Sequence, residues 1–247
     1  MSQPDQATLT PRNRLLRALP YESWVALRPS LSLVDLPFNQ ILHAAGVPIT
    51  TIYFPENGFA SMIAYLEDST GAEVGLIGYE GFIGLPVLLG AEFDDIEALV
   101  QCAGTAWSMS VKAFLAVLSA HDELRGLLLR YALLHHTQVA RSAACNGRHH
   151  IEQRLARWLL MGHDRSMEDE FPMTHDFLSM MLGVRRAGVT VAAGALQKAG
   201  LISYKPGRVA IADRVGLEKA SCECYHIARR ASDRLFGAHI GPSSHAD

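Results

Sequence analysis

The chain has 247 residues, is 49% hydrophobic and carries a formal net charge of -3. This length allows two domains with buried cores. No apolar run approaches the length of a membrane span, and the polar N-terminal stretch lacks the apolar core of a signal peptide, so we expect a cytoplasmic protein with no membrane partner. The four cysteines are too few and too irregularly spaced for a disulfide framework, which predicts reduced thiols.

The first half of the chain has the pattern of a β-rich domain. A short helical opening at residues 13–27 is followed by a segment, 31–109, that Gly, Pro, Asn and Asp interrupt at short intervals. Short apolar or alternating runs lie between these interruptions, at residues 49–54, 59–66, 73–77, 98–102 and 106–109. The pattern predicts an antiparallel barrel or jelly roll within a sensor domain at residues 1–120.

A long helix is predicted to follow this domain, because residues 122–145 contain no proline and a single early glycine. One seam of side chains runs along the helix at spacings of three and four. The same periodicity fits a helix that lies on its own barrel and a helix that pairs with a second copy. We predict a dimerisation helix at residues 121–147, with an interface formed by Leu124, Leu128, Tyr131, His135, Gln138 and Ser142.

Residues 173–211 have the pattern of a winged helix-turn-helix. Thr174 can cap a first helix, Gly183 supplies a tight turn, and a second helix is predicted at residues 185–199. Two short β-segments can then pair across residues 205–208, a loop with turn chemistry and two cations. An ordinary helix pair with a hairpin is the alternative. We predict a DNA-binding domain at residues 148–247 that ends in a helical extension.

The placement of cations favours DNA as the partner of this domain. Two arginines begin the second helix, where side chains enter a major groove, and two cations lie at the hairpin tip, where a wing meets phosphate. Residues 146–247 also carry more basic than acidic side chains, whereas the first half is acidic. The predicted DNA-binding residues are Thr174, Arg185, Arg186, Ala187, Gly188, Thr190, Val191, Lys205 and Arg208.

With barrel, long helix and winged helix-turn-helix in this order, the chain resembles the Crp/Fnr family of bacterial transcription regulators. The resemblance is most specific at Gly81-Phe82-Ile83-Gly84, at residues 154–160 and at residues 183–203. It implies an α+β fold with an N-terminal antiparallel β-roll of the cyclic-nucleotide-binding type. It also implies a homodimer that binds double-stranded DNA and works with RNA polymerase.

The resemblance places the base-contacting positions of the family at Arg186, Ala187 and Val191. Arg186 keeps a bidentate donor for guanine, whereas Ala187 and Val191 replace an acidic residue and a second arginine. The target site should therefore differ from that of the cyclic AMP receptor. We also expect Gly188 to let the helix backbone approach the duplex closely.

The residues that bind cyclic AMP in the family are missing from this sequence. Members that bind it place a glutamate directly after the barrel glycine, whereas Leu85 follows Gly84 here. The segment that should hold the phosphate-binding Arg-Ser pair, 93–97, contains three carboxylates and no cation, and carboxylates would repel a phosphate. The effector is thus predicted not to be cyclic AMP. The residues at the corresponding pocket are Gly84, Leu85, Ile96, Glu97 and Val139.

We predict neither a metal nor a cofactor. The iron-sulfur branch of the family uses cysteines near the N-terminus, and no cysteine precedes Cys102. Cys222 and Cys224 supply only two thiols, which do not complete a tetrahedral site.

The function that the sequence favours is a homodimeric, DNA-binding transcription regulator without enzymatic activity. A metabolite-sensing barrel protein that docks to another protein is one alternative. An enzyme with a cupin-like barrel is another, but His43 is the only histidine at residues 31–109, and no nucleophile-elbow or P-loop motif occurs.

Overall fold

The computed structural model describes residues 10–68, 70–166, 168–205 and 207–237. The chain begins with two short helices, α1 (Arg14–Arg17) and α2 (Tyr21–Leu27), followed by a 3-10 turn. Asn13 caps α1, because its side-chain oxygen accepts the N–H groups of Leu15 and Leu16. Its amide nitrogen donates to the carbonyls of Pro55 and Gly81, which ties the helical opening to the roll.

Seven antiparallel strands form the two sheets of the roll. They are β1 (Ser32–Leu36), β2 (Ile41–His43), β3 (Thr51–Pro55), β4 (Phe59–Tyr65), β5 (Gly71–Ile77), β6 (Ile96–Cys102) and β7 (Gly104–Ser110). One sheet has the order β1-β7-β3 and the other β2-β6-β4-β5. Helix α3 (Leu85–Leu88) lies between β5 and β6. The predicted antiparallel roll is confirmed.

Both sheets bury side chains on two faces, so a central strand such as β4 has a near-continuous buried run rather than a clean alternation. Leu36 and Val100 pack in the interior of the roll, with Tyr53 against them. The outer face of the three-stranded sheet packs Phe54 and Trp107 against the helices. The outer face of the four-stranded sheet shares one core with the C-terminal half, formed by Phe59, Ile63, Leu76 and Leu99 together with residues of that half.

Helices α4 (Val111–Ala120), α5 (Asp122–Arg148) and α6 (Ile151–Arg165) follow. The predicted long helix is present and extends three residues beyond Cys145. The predicted dimer seam on it is wrong, because that face packs on the same protomer. Leu124, Leu128 and Tyr131 are buried there. The predicted interface that this corrects consists of Leu124, Leu128, Tyr131, His135, Gln138 and Ser142.

The contacts of this face explain the error. A Cβ built on Gly81 would lie 2.0 Å from the Tyr131 hydroxyl oxygen, so the barrel backbone approaches the tyrosine directly. Gly75 faces His135 in the same way, at 3.1 Å. Further along, Ser142 accepts a hydrogen bond from Arg157 of α6. Spacings of three and four predict an apolar face but not which surface covers it.

The C-terminal half contains β8 (Glu170–Pro172), α7 (His175–Leu182), α8 (Arg186–Lys198), β9 (Ile202–Lys205) and β10 (Arg208–Ile211). The three strands form an antiparallel sheet in the order β8-β10-β9. This arrangement confirms the winged helix-turn-helix. The division of the chain at residues 120 and 147 stays a prediction.

Helices α9 (Arg214–Ala220) and α10 (Cys224–Gly237) form the C-terminal extension. The second of them packs on α5 and reaches the first helix of the chain. There, the Arg14 guanidinium lies 4.1 Å from the ring centre of Phe236 and 3.6 Å from a carboxylate oxygen of Asp233. The extension therefore connects the C-terminal half to the roll. None of the helices in the described ranges is both long and apolar enough to cross a membrane.

Candidate nucleic-acid interface

The turn between α7 and α8 is built as the sequence predicts. The Thr174 hydroxyl accepts the N–H of Phe177 and caps α7. Gly183 ends the helix in the left-handed region, with φ 59° and ψ 42°, a conformation that glycine adopts without a Cβ clash. The Thr174 hydroxyl therefore has a structural role as the N-cap of α7, in addition to the predicted contact with DNA.

Helix α8 has one buried and one exposed face. Its buried face packs into the core of the C-terminal half through Val189, Ala192, Ala193 and Leu196. Val191, by contrast, is 68% exposed, although valine is usually buried. The other predicted contact residues on the exposed face are Arg185, Arg186, Ala187 and Thr190. Burial of the opposite face leaves these side chains on one exposed surface of α8 within the described residues.

The expectation that Gly188 lets the helix backbone approach a duplex is wrong. A Cβ at this position would lie 3.0 Å from Cδ1 of Ile151 in α6, so the glycine permits close helix packing and does not face a duplex. Gly194 occupies the exposed face instead, three residues after Val191, and a Cβ there would meet no atom within 4 Å in the described structure. It is the glycine at which DNA could approach the α8 backbone.

Polar contacts connect the start of α8 to α7 and to the wing. Arg186 lies 3.3 Å from an Asp176 carboxylate oxygen, with both side chains largely exposed. The Thr190 hydroxyl donates to the Arg186 carbonyl and lies 3.0 Å from Nδ1 of His175. The His175 ring packs against Tyr204 of β9 at 4.4 Å.

Burial, and then the nearby Arg186 charge, lower the pKa of His175. The histidine is therefore neutral at neutral pH. It holds α8 against the wing without adding charge to the interface.

The two cations of the wing differ in their surroundings. Lys205 is exposed beside the tip. Arg208 pairs with the Glu170 carboxylate across β8 and β10, so its charge is partly compensated. Lys205 is thus better placed than Arg208 to meet phosphate.

Buried polar contacts fix α6, the first helix of the C-terminal half, on the roll. Glu73 of β5 accepts hydrogen bonds from the Ser61 hydroxyl at 2.6 Å and from Trp158 Nε1 at 2.8 Å. Burial raises the pKa of this carboxyl to about 7, against the opposing effect of these two donors. Nearby, the Arg165 guanidinium donates to Glu80 at 2.7 and 2.9 Å.

The five predicted effector residues do not line one pocket. Ile96 packs toward the interior of the roll, whereas Glu97 lies opposite Ile63, on the outer face of the same sheet. Adjacent residues of a strand point to opposite faces, so these two cannot meet one ligand inside the roll. Glu97 accepts the Tyr65 hydroxyl at 2.9 Å, and Val139 packs near Gly75. Gly84 and Leu85 lie elsewhere, at the start of α3, where Gly84 has φ 124°.

The interpretation of Cys222 and Cys224 as a pair without further ligands is wrong. The fold brings Cys145 and His149 to them, and the four possible ligand atoms lie within 4.8 Å of one another. The short spacing from Cys145 to His149 at the end of α5 is a signal that could have been read from the sequence. Cys222 and Cys224 follow more than 70 residues later in the sequence, so the sequence alone does not indicate that they lie beside Cys145 and His149.

Comparison with known proteins agrees with this architecture. Residues 153–220 match the model of the Crp-like helix-turn-helix domain. No curated protein matches the chain.

Solved structures share its fold at low identity. FixK2 from Bradyrhizobium japonicum is 13% identical with a TM-score of 0.66, covering 78% of this chain and 98% of its own. CLP, a c-di-GMP-responsive global regulator from Xanthomonas campestris, is 17% identical with a TM-score of 0.61, covering 78% and 99%. A Crp-family transcriptional regulator from Thermus thermophilus is 18% identical with a TM-score of 0.62, covering 76% and 96%. The resemblance to Crp/Fnr regulators is thus confirmed for the helix-turn-helix domain and the overall fold.

Proposed function

We propose that this chain, a Crp-like helix-turn-helix domain on a Crp/Fnr-type fold, is a cytoplasmic transcription regulator. It binds a two-fold symmetric operator in double-stranded DNA as a homodimer, acts with RNA polymerase and has no enzymatic activity. The observation that carries the proposal is the exposed face of α8, which presents two arginines at its first turn and an exposed Val191 beyond them. A helix of this kind places its N-terminal side chains at base edges in a major groove.

Specific and nonspecific contacts should separate by mutation. Arg186 can donate to both guanine acceptors, so Arg186→Ala should weaken binding to the selected operator by about 1 to 3 kcal/mol per half-site and relax its base preference. Lys205→Ala should weaken cognate and random DNA alike and lower the salt slope by about one unit per contact. Lys112→Ala removes an exposed cation from α4, outside the interface, and serves as the charge-matched control.

The experiment is selection of bound sequences from random duplex DNA, followed by binding titrations of wild type and variants at several salt concentrations. A wild-type protein that selects no sequence would sink the proposal and favour the alternative in which the C-terminal half docks to protein. Equal losses for Arg186→Ala and Lys112→Ala would show that α8 is not the reading helix.

The dimer is proposed on a different face of α5 from the predicted seam. Leu129 and Leu133 are 45% and 66% exposed, and they begin a row that continues at spacings of three and four. The row consists of Leu129, Leu133, His136, Ala140, Ala143 and Gly147. Its last three residues are small and permit close approach of a second helix. This spacing is that of a two-helix seam.

Leu133→Glu should therefore yield monomers in sedimentation experiments, because a carboxylate would be buried between the helices. Leu115→Glu changes a leucine of α4 that is 44% exposed, and it should leave the oligomeric state unchanged. A wild-type protein that sediments as a monomer at micromolar concentration contradicts the dimer.

A further inference from the structure

The strongest unassigned cluster on the described residues lies where α5, the link to α6 and the C-terminal extension meet. Cys145, Cys222 and Cys224 are buried, and His149 is half-buried beside them. The Cys145 and Cys222 sulfurs are 3.5 Å apart, and the Cys224 sulfur lies 3.8 Å from Nδ1 of His149. All four ligand atoms lie within 4.8 Å of one another.

These separations suit one tetrahedral ion. With zinc–sulfur bonds of about 2.3 Å, two thiolates at the tetrahedral angle stand about 3.8 Å apart. The cluster therefore needs little contraction to hold zinc, and three cysteines with one histidine form a set known for closed structural zinc sites. An iron-sulfur cluster distributes four ligands over two or four irons, so the ligand atoms on different irons would have to stand further apart than they do here.

The outer shell of the site also fits a metal. While Nδ1 of His149 faces the sulfurs, its Nε2 lies 3.2 Å from the Glu223 carboxylate. Such a carboxylate fixes the tautomer and orientation of a histidine ligand. Two buried arginines of α6, Arg154 and Arg157, interact electrostatically with the thiols.

The charges of these arginines fit the ligand set. Three thiolates and one divalent ion leave a net charge of minus one, which the guanidinium groups offset. Within the described ranges, Nε of each arginine is buried without a hydrogen-bond partner, although each donates through Nη2, Arg154 to the Leu182 carbonyl and Arg157 to Ser142.

We propose that Cys145, His149, Cys222 and Cys224 bind a structural Zn²⁺. Cys145 and His149 lie one helical turn apart at the end of α5, and the other two ligands lie at the α9–α10 junction. The ion therefore joins the junction between α5 and α6 to the C-terminal extension. Since α10 then packs along α5, zinc binding holds the extension against the body of the protein.

The test is metal analysis of full-length protein purified under reducing conditions. Wild type should contain one zinc per chain, and Cys222→Ser should lose it. Cys102→Ser changes the remaining cysteine, which lies outside the cluster, and should keep the full zinc content. Replacement of zinc by Co²⁺ should give the visible absorption of tetrahedral cobalt with thiolate ligands in wild type but not in Cys222→Ser.

His149→Cys guards against a variant that simply fails to fold. It should retain one ion per chain, and its thiolate-to-cobalt absorption should increase because a fourth thiolate replaces the imidazole. Folded wild type that binds neither Zn²⁺ nor Co²⁺ overturns the proposal. So does recovery of iron with sulfide, or a Cys145–Cys222 disulfide in protein whose free thiols were alkylated at cell lysis, because that bond would already have formed in the cell. These readouts do not depend on DNA binding, so the zinc site and the proposed function can fail separately.

Discussion

Replacing Glu73 with glutamine should remove the pH-dependent free-energy cost of ionising a buried carboxyl at the contact between the roll and the C-terminal half. Glu73 is buried on β5, and the Trp158 indole of α6 donates to it across that contact. Glutamine keeps one carbonyl acceptor for Trp158, and its amide can donate to the Ser61 hydroxyl, which accepts as well as donates. The substitution therefore preserves the shape and the hydrogen bonds of the contact while preventing ionisation.

The magnitude follows from the pKa of Glu73, which burial raises from 4.5 to about 7. Between these values the folded state binds more protons than the unfolded state, so this carboxyl stabilises the fold at low pH and loses that contribution as the pH rises through 7. Each unit corresponds to about 1.4 kcal/mol, so the full loss is about 3 kcal/mol. Arg157 and Arg165 are the cations that act against this shift.

The assay is urea unfolding of wild type and Glu73→Gln between pH 5 and pH 8. As the pH rises from 5 to 8, the free energy of unfolding of the variant should increase by about 2 to 3 kcal/mol relative to that of wild type. Glu67→Gln, at an exposed carboxylate, is the control and should follow the wild-type profile. If the curves for wild type and Glu73→Gln stayed parallel, the carboxyl would be ionised in both states and the reasoning would be refuted.

Three further predictions concern the roll and α5. Burial lowers the pKa of His135 to about 4, so the neutral histidine stabilises the fold at neutral pH and this stabilisation is lost as the pH falls from 6.5 toward 4. His135→Gln cannot ionise and should reduce the loss of unfolding free energy at acid pH, measured by urea unfolding, by up to about 3 kcal/mol. Gly81→Ala should destabilise the fold by about 1 to 3 kcal/mol or more through its clash with Tyr131, whereas Gly126→Ala, at an uncrowded helical site, should stabilise it by up to about 1 kcal/mol. Calorimetry should detect no binding of cyclic AMP at physiological concentration, because Leu85 follows Gly84 and residues 93–97 contain no cation for a phosphate; micromolar affinity would contradict this.

The sequence predicted elements whose signals are local. Thr174, Gly183 and the apolar spacing of α8 define the helix-turn-helix within a few residues of each other, and the structure places each as expected. Turn residues at short intervals likewise marked the roll, because each strand end needs a local change of backbone direction.

Features that depend on which surfaces meet were not predictable in this way. The seam through Leu128 and Tyr131 is apolar because the roll covers it, and a partner helix would demand the same periodicity. Gly188 illustrates the same limit, since a glycine spaced for close approach does not say whether Ile151 or DNA approaches it. The ligand set around Cys222 needs residues from two segments more than 70 residues apart, which only the fold brings together.

Helix α6 is one of the elements that connect the roll to α8, the proposed reading helix. It carries Trp158 and Arg165, whose buried bonds reach Glu73 and Glu80 of the roll, and its first residue, Ile151, packs against α8 at Gly188. A displacement of α6 on the roll would therefore be passed to α8, because packed interiors transmit displacement. A ligand or proton that binds better to one position of α6 than to another would therefore also shift the position of α8. Glu73 lies at this contact, since the Trp158 indole of α6 donates to its carboxyl at 2.8 Å.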